Sequence, residues 1–213
     1  MSPGLSSVLW DLRYPGATSF PGMILWGSNL AGPTAPPGTY QVRMTVDGRA
    51  QTQPLVVKRH PLFTATAADL KEQFDLAIRI RDKVSEANNA VIRIRDIKAQ
   101  VAERLQTSPD ARLKAAGELL VSRLSSVEEA IYQVRNQSGQ DPLNFPIRIN
   151  NRLASLLTVV NRGDGKPVGN VIPIFDDLVR NLKAQTDRLA SVLAIDLEAF
   201  NAEARRLGLE VVR

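Results

Sequence analysis

The sequence predicts an α+β protein: a small antiparallel β module over residues 1–63, followed by an antiparallel four-helix bundle with long helices over residues 64–213. Three observations lead there. Residues 66–106 contain neither Gly nor Pro and carry one apolar stripe at helical spacing. Residues 40–58 alternate apolar and polar side chains around Asp47-Gly48, the pattern of two strands joined by a tight turn. More than half of the 13 prolines and of the 13 glycines, and both tryptophans, fall before residue 64, so the two halves differ in kind.

Within the first half, Val8–Leu12 and Met23–Trp26 are short strand candidates. Tyr14-Pro15-Gly16 breaks the first, and Gly32–Gly38, with three prolines, reads as loop. Tyr40, Val42, Met44 and Val46 alternate with Gln41, Arg43 and Thr45, which predicts a half-buried strand. Asp47-Gly48 suits a type I′ turn, whose two central positions need positive φ. Arg49–Lys58 returns as the partner strand, where Pro54 marks an edge or a bulge. Four strands fall short of the about seven of a free-standing sandwich. Their apolar face must therefore be covered by the helices or by the rest of a larger protein.

The second half opens with Thr66 and Asp69 spaced as a capping box. Ile78-Arg79-Ile80-Arg81-Asp82 returns two heptads later as Ile92-Arg93-Ile94-Arg95-Asp96. The stripe Ile80, Val84, Ala87, Val91, Ile94, Lys98, Val101, Leu105 advances in steps of four and three, a seam for partner helices that only Lys98 interrupts. Arg81 and Arg95 lie one residue beyond the seam; their stems cover apolar surface and their heads pair with Asp82, Asp96 or acids of a neighbouring helix. Thr107-Ser108-Pro109 ends this helix, and Ser108-Pro109 reads as the cap of the next. That helix runs to about Asn136, with Leu113, Gly117, Leu120, Leu124, Val127, Ile131 and Val134 in one row. A shorter helix spans about Phe145–Asn161, with Ile149, Leu153, Leu156 and Val160 inward. The last runs from about Ile174 to Leu207, with Leu178, Leu182, Leu189, Val192 and Ile195 as its stripe, Phe200 near its end and Gly208 as C-cap. Short connections favour antiparallel neighbours, hence an up-down-up-down arrangement.

Little in the chain points to chemistry. There is no Cys and a single His, His60, which excludes disulfides and argues against zinc sites and His-based triads. The net charge of +5 divides evenly enough that residues 64–213, with 22 bases against 20 acids, are nearly neutral. A nucleic-acid binder collects bases without matching acids, so no nucleic-acid partner is expected. No run reaches the roughly 18 apolar residues of a membrane helix, and no signal peptide is visible. Gly163-Asp164-Gly165-Lys166-Pro167 lacks the upstream Gly and following Ser or Thr of a phosphate loop. Arg162-Gly163-Asp164 and the acceptor triplet Asn136-Gln137-Ser138 are short enough to arise by chance. Asp176-Asp177 and Glu128-Glu129 are neighbours that point apart on a helix; the first pair suits the first turn of the last helix. No catalytic, cofactor-binding or metal residue is assigned, and no cofactor is expected.

Trp10-Asp11-Leu12-Arg13-Tyr14-Pro15-Gly16-Ala17, Phe20-Pro21-Gly22-Met23 and Ala35-Pro36-Pro37-Gly38-Thr39-Tyr40, followed by Val42-Arg43-Met44-Thr45-Val46-Asp47-Gly48, resemble the C-terminal region of large bacterial β-propeller proteins. These carry sortilin-like or neuraminidase-type repeats and are often labelled glycosyl hydrolases. Asp196–Asn201 and Leu207-Gly208-Leu209 extend the resemblance over almost the whole chain. The hairpin block is also similar to Ig-like modules of flagellar hook-capping proteins. The resemblance implies a partial Ig-like module before the helices. It also implies a non-catalytic accessory role in packing or assembly, an extracytoplasmic location, and a propeller portion or further protomers as partners. Trp10, Tyr14, Phe20 and Trp26, aromatic residues concentrated in a strand-poor stretch, are the expected contact to the propeller, burial against the chain's own hairpin being the alternative. The alternatives are a helical homo-oligomerisation module, motivated by the long stripe, and a glycoside hydrolase-related fragment.

Overall fold

A computed structural model describes residues 7–213. Two strands, β1 (Gly38–Val46) and β2 (Arg49–Val57), form one antiparallel hairpin. Five helical segments follow: α1 (Ala67–Thr107), α2 (Ala111–Ile131), α3 (Ile149–Val160), α4 (Val171–Val192) and α5 (Glu198–Arg206). A π turn at Leu193–Leu197 joins α4 to α5 without a break, so four helices stand in space. The class is α+β.

The hairpin forms as its sequence requires. Asp47 and Gly48 have φ of 48° and 78°, the left-handed pair of a type I′ turn. Val46↔Arg49 closes the ladder, and the register runs unbroken to Gly38↔Val57. Pro54 makes no bulge. It faces Gln41, and counting from the turn places that pair among the non-hydrogen-bonded ones, where a proline costs the ladder nothing.

The other two strand candidates do not form strands. Residues 12–17 instead run beside residues 30–35 as an irregular strap. Tyr14 donates to the Pro33 carbonyl at 3.0 Å, Ala17 to Leu30 at 2.9 Å and Ala35 to Leu12 at 2.7 Å. A single bridge joins Arg13 and Thr34. Pro15 and Pro33 remove donors that a regular ladder needs. Gly16 and Gly32 permit the close approach, since a Cβ at either would collide with the Leu30 or Tyr14 carbonyl oxygen.

Helix α1 begins as predicted. Asp69 N–H donates to Thr66 Oγ1 at 3.1 Å and Thr66 N–H to the Asp69 carboxylate at 2.9 Å. Its stripe is the core of the molecule: Ile80, Val84, Ala87, Val91, Ile94 and Val101 are fully buried within this chain. The second helix is capped two residues later than expected. Asp110, not Ser108, accepts from Arg112 and Leu113 N–H groups, each at 3.0 Å. It ends at Ile131, so Val134 falls outside it and is exposed. Helix α3 starts at Ile149, past Pro146, and α4 starts at Val171, which puts Asp176 and Asp177 beyond the first turn.

The helices do not alternate up-down-up-down. Leu105 lies over Gly117, and Arg95 and Lys98 meet Glu128. Further back along α1, Asn88 meets Asn150 and Gln73 meets the Val160 carbonyl. Helices α2 and α3 therefore lie end to end, both antiparallel to α1. The connection 132–148 folds on itself and re-enters in the same direction. The Asp141 carboxylate takes two backbone N–H groups there, and Gln133 donates to the Pro146 carbonyl at 2.9 Å. The continuous α4–α5 forms a third column, parallel to α1: Phe175 sits under Arg79, Asp196 meets Arg123 and Arg206 meets Asp110. The result is a bundle-like packing of three columns, one of them broken.

The π turn also moves the last stripe. Its extra residue rotates the helix phase, so Asp196 and Leu197 turn inward and Ile195, expected inward, is exposed.

Candidate functional site

The strap is held on the helices by side chains that receive its backbone. Thr18 N–H donates to Ser85 Oγ at 3.1 Å, and Asn88 Nδ2 donates to the Thr18 carbonyl at 2.7 Å. Asn150 Nδ2 donates to Asn88 Oδ1. Asn151 accepts from Trp26 N–H at 2.7 Å and donates to the Trp26 carbonyl and Ser28 Oγ, each at 3.2 Å. Ile24 N–H reaches the Tyr132 hydroxyl at 3.1 Å. These asparagines are buried and satisfied, as buried amides must be. No sequence motif announced them; only their place on otherwise apolar helix faces was a signal.

Beneath the strap lies a charged knot. Glu128, almost fully buried, accepts from Arg95 Nε at 2.6 Å and from Lys98 Nζ at 3.0 Å. The Arg95 guanidinium lies 4.8 Å from the Phe20 ring centre and 5.2 Å from that of Tyr132. Lys98, the interruption in the stripe, is thus the partner of an acid on the facing helix. Arg95 pairs with Glu128, while Arg81 pairs with its neighbour Asp82.

The four aromatic residues singled out above have different surroundings. Phe20 is 7% exposed and packs edge-on to Tyr132 at 5.1 Å, so it belongs to this chain's own core. Tyr14, half-buried, stands edge-on to Phe74 of α1 at 4.8 Å. Trp10 meets Tyr40 at 5.7 Å and donates Nε1–H to the Arg13 carbonyl, yet remains 39% exposed; Trp26 is 38% exposed. Burial, then the neighbouring Tyr14 phenol, raises the Tyr40 hydroxyl above its ordinary value.

A cleft of about 310 Å³ opens where the hairpin root meets the start of α1 and the loop after α3. Pro36, Val57, Phe63 and Phe74 supply apolar wall, with His60 and Asp164 among its polar groups. His60 Nδ1 accepts from Leu62 N–H and its ring tilts against Phe63, the setting of a linker residue. The loop 161–170 between α3 and α4 is tied to α1, since Gly163 accepts from Gln73 and Lys166 faces Glu72 at 3.5 Å.

Beyond the cleft the hairpin stands off the helices. The β1 row is uncovered: Val42, Met44 and Val46 are 52, 57 and 49% exposed, not half-buried as the alternation suggested. The buried apolar cluster joins the helices to one another and to the strap, and none of β1's Val42, Met44 or Val46 belongs to it. Among the described residues no three His, Cys, Asp or Glu side chains are grouped to hold a metal, and no helix is long and apolar enough to cross a membrane. Comparison with known protein families, curated proteins and solved structures gives no match.

Proposed function

We propose that this chain is a non-catalytic accessory region of a larger exported β-propeller protein, acting in packing and assembly. In this reading the hairpin is part of an Ig-like module, and the helices are a four-helix bundle variant with two helices in line. One observation carries it: a helical body closed by its own strap presents a hairpin whose apolar row has no cover. Exposed apolar rows of this kind mark contact surfaces. Trp10 and Trp26 are the residues of the aromatic set with surface to offer a propeller. Tyr14 and Phe20 hold the strap that positions them. The α1 stripe is consumed inside the chain, whereas the hairpin row is open to association.

The test is a titration of this chain with the propeller portion of the parent, followed by calorimetry. Saturable binding, weakened at least tenfold by Trp10→Ser with Trp26→Ser, is expected. No binding, together with turnover of a glycoside substrate by this chain, would overturn the proposal.

A further inference from the structure

We infer that β1 is where this chain pairs with a second copy of itself, edge to edge, giving one antiparallel sheet in the order β2-β1-β1-β2. The inference rests on the assembly reading and names a partner and a surface for it.

The two edges of the hairpin are not equivalent. With Val46↔Arg49 as the hydrogen-bonded pair beside the turn, bonded and non-bonded pairs alternate down the ladder. On β1, Thr39, Gln41, Arg43 and Thr45 turn their N–H and C=O groups outward, and none is proline. On β2 the outward residues are Ala50, Thr52, Pro54 and Val56. Pro54 lacks the donor and its ring obstructs an incoming strand, a recognised block on edge pairing. Only β1 offers an unbroken edge.

The faces agree with the edges. Across the hairpin, Val42, Met44 and Val46 face Gln53, Gln51 and Arg49, so their apolar neighbours are missing on the β2 side. A strand added outside β1 would supply them.

The outward edge of β1 can pair with itself about a two-fold axis. A two-fold axis at Val42 places Val42 beside Val42 of the second copy, Tyr40 beside Met44, Gln41 beside Arg43 and Thr39 beside Thr45. An aromatic–Met contact, a pair of threonines and an amide–guanidinium pair are each favourable across strands. Moving the axis one residue to Arg43 sets two arginines directly opposite, which is unfavourable. A second copy therefore fits this edge once the axis avoids Arg43.

Sedimentation equilibrium across the micromolar range, with amide hydrogen exchange at each concentration, tests this. A reversible dimer is expected, with exchange at Gln41 and Arg43 slowing as it forms while Ala50 and Thr52 stay unchanged. Gln41→Pro and Thr52→Pro both fall at outward-facing positions, so both spare the hairpin's own bonds. The first should weaken the dimer at least tenfold and the second should leave it intact. A strict monomer with unprotected β1 amides, or a dimer indifferent to Gln41→Pro, overturns the inference. A monomer that still binds the propeller portion would overturn edge pairing alone; a dimer that ignores the propeller would overturn only the propeller contact.

Discussion

Arg95 ties α1 both to α2 and to the strap. Its guanidinium neutralises buried Glu128 and lies against both Phe20 of the strap and Tyr132 after α2. Removing one partner of a buried ion pair strands the other. Lys98 remains beside Glu128, so Arg95→Met is expected to cost about 2–3 kcal/mol, below the roughly 3–5 kcal/mol of a lone buried pair; urea unfolding measures it. Ile80→Asp and Ile94→Asp are harsher, because both positions are fully buried among apolar side chains. Each is expected to unfold the chain at ambient temperature, a loss of about 4 kcal/mol or more. Unchanged thermal melting in either would show that α1 buries a different face. At this scale the stripe was legible, because its spacing repeats over many turns. The partner of Lys98 was not, since Glu128 lies on another helix and nothing local marks it.

At the level of elements, caps and close approaches decide where each piece stops. Asp110 caps α2 and also receives Arg206 of α5 at 2.8 Å. The Arg206 hydrogen bond, followed by the Leu113 and Arg112 N–H groups, holds its carboxyl below the usual range. A carboxylate with a depressed folded pKa stabilises above its unfolded pKa, and that stability is lost as pH falls through the folded value. Melting temperature should therefore fall on acidification below about pH 4, the ordinary aspartate range. Asp110→Asn should melt lower at neutral pH and show a shallower acid decline. Gly32→Ala is expected to disrupt the strap, since the new Cβ would overlap the Tyr14 carbonyl. The loss should appear as faster amide exchange at Tyr14 and Ala17, whose donors bind across the strap. The hairpin turn and the start of α1 could be read in advance, since Asp-Gly and Thr-x-x-Asp are local chemistry. Val8–Leu12 and Met23–Trp26 carry the short apolar runs of strands, but no ladder forms there, because the prolines and glycines around them hold the chain in an irregular strap.

Across the whole molecule, stability is uneven. The helices and strap share one buried cluster from Phe20 to Val212, whereas the hairpin beyond its root is exposed on both strands. Local opening follows burial. Limited trypsin digestion is thus expected to cut first after Arg49, Lys58 or Arg59, all exposed and outside the helices; first cuts within α1 would contradict that order. The residues before position 64 thus divide by packing, with the strap in the helical core and the hairpin standing off it.

The sequence by itself determined the class, the long first helix with its buried stripe, and the hairpin with its register. Each is written in short-range periodicity or in one residue type's conformational preference, which neighbours in space do not alter. Tertiary structure alone decided that α2 and α3 run in line, that a π turn exchanges Ile195 for Asp196 at the core, and that asparagines clamp the strap. It also decided that the apolar row of β1 stays uncovered. Those outcomes depend on which surfaces remain after long-range packing has satisfied the rest, and that competition has no signature in any one stretch of chain.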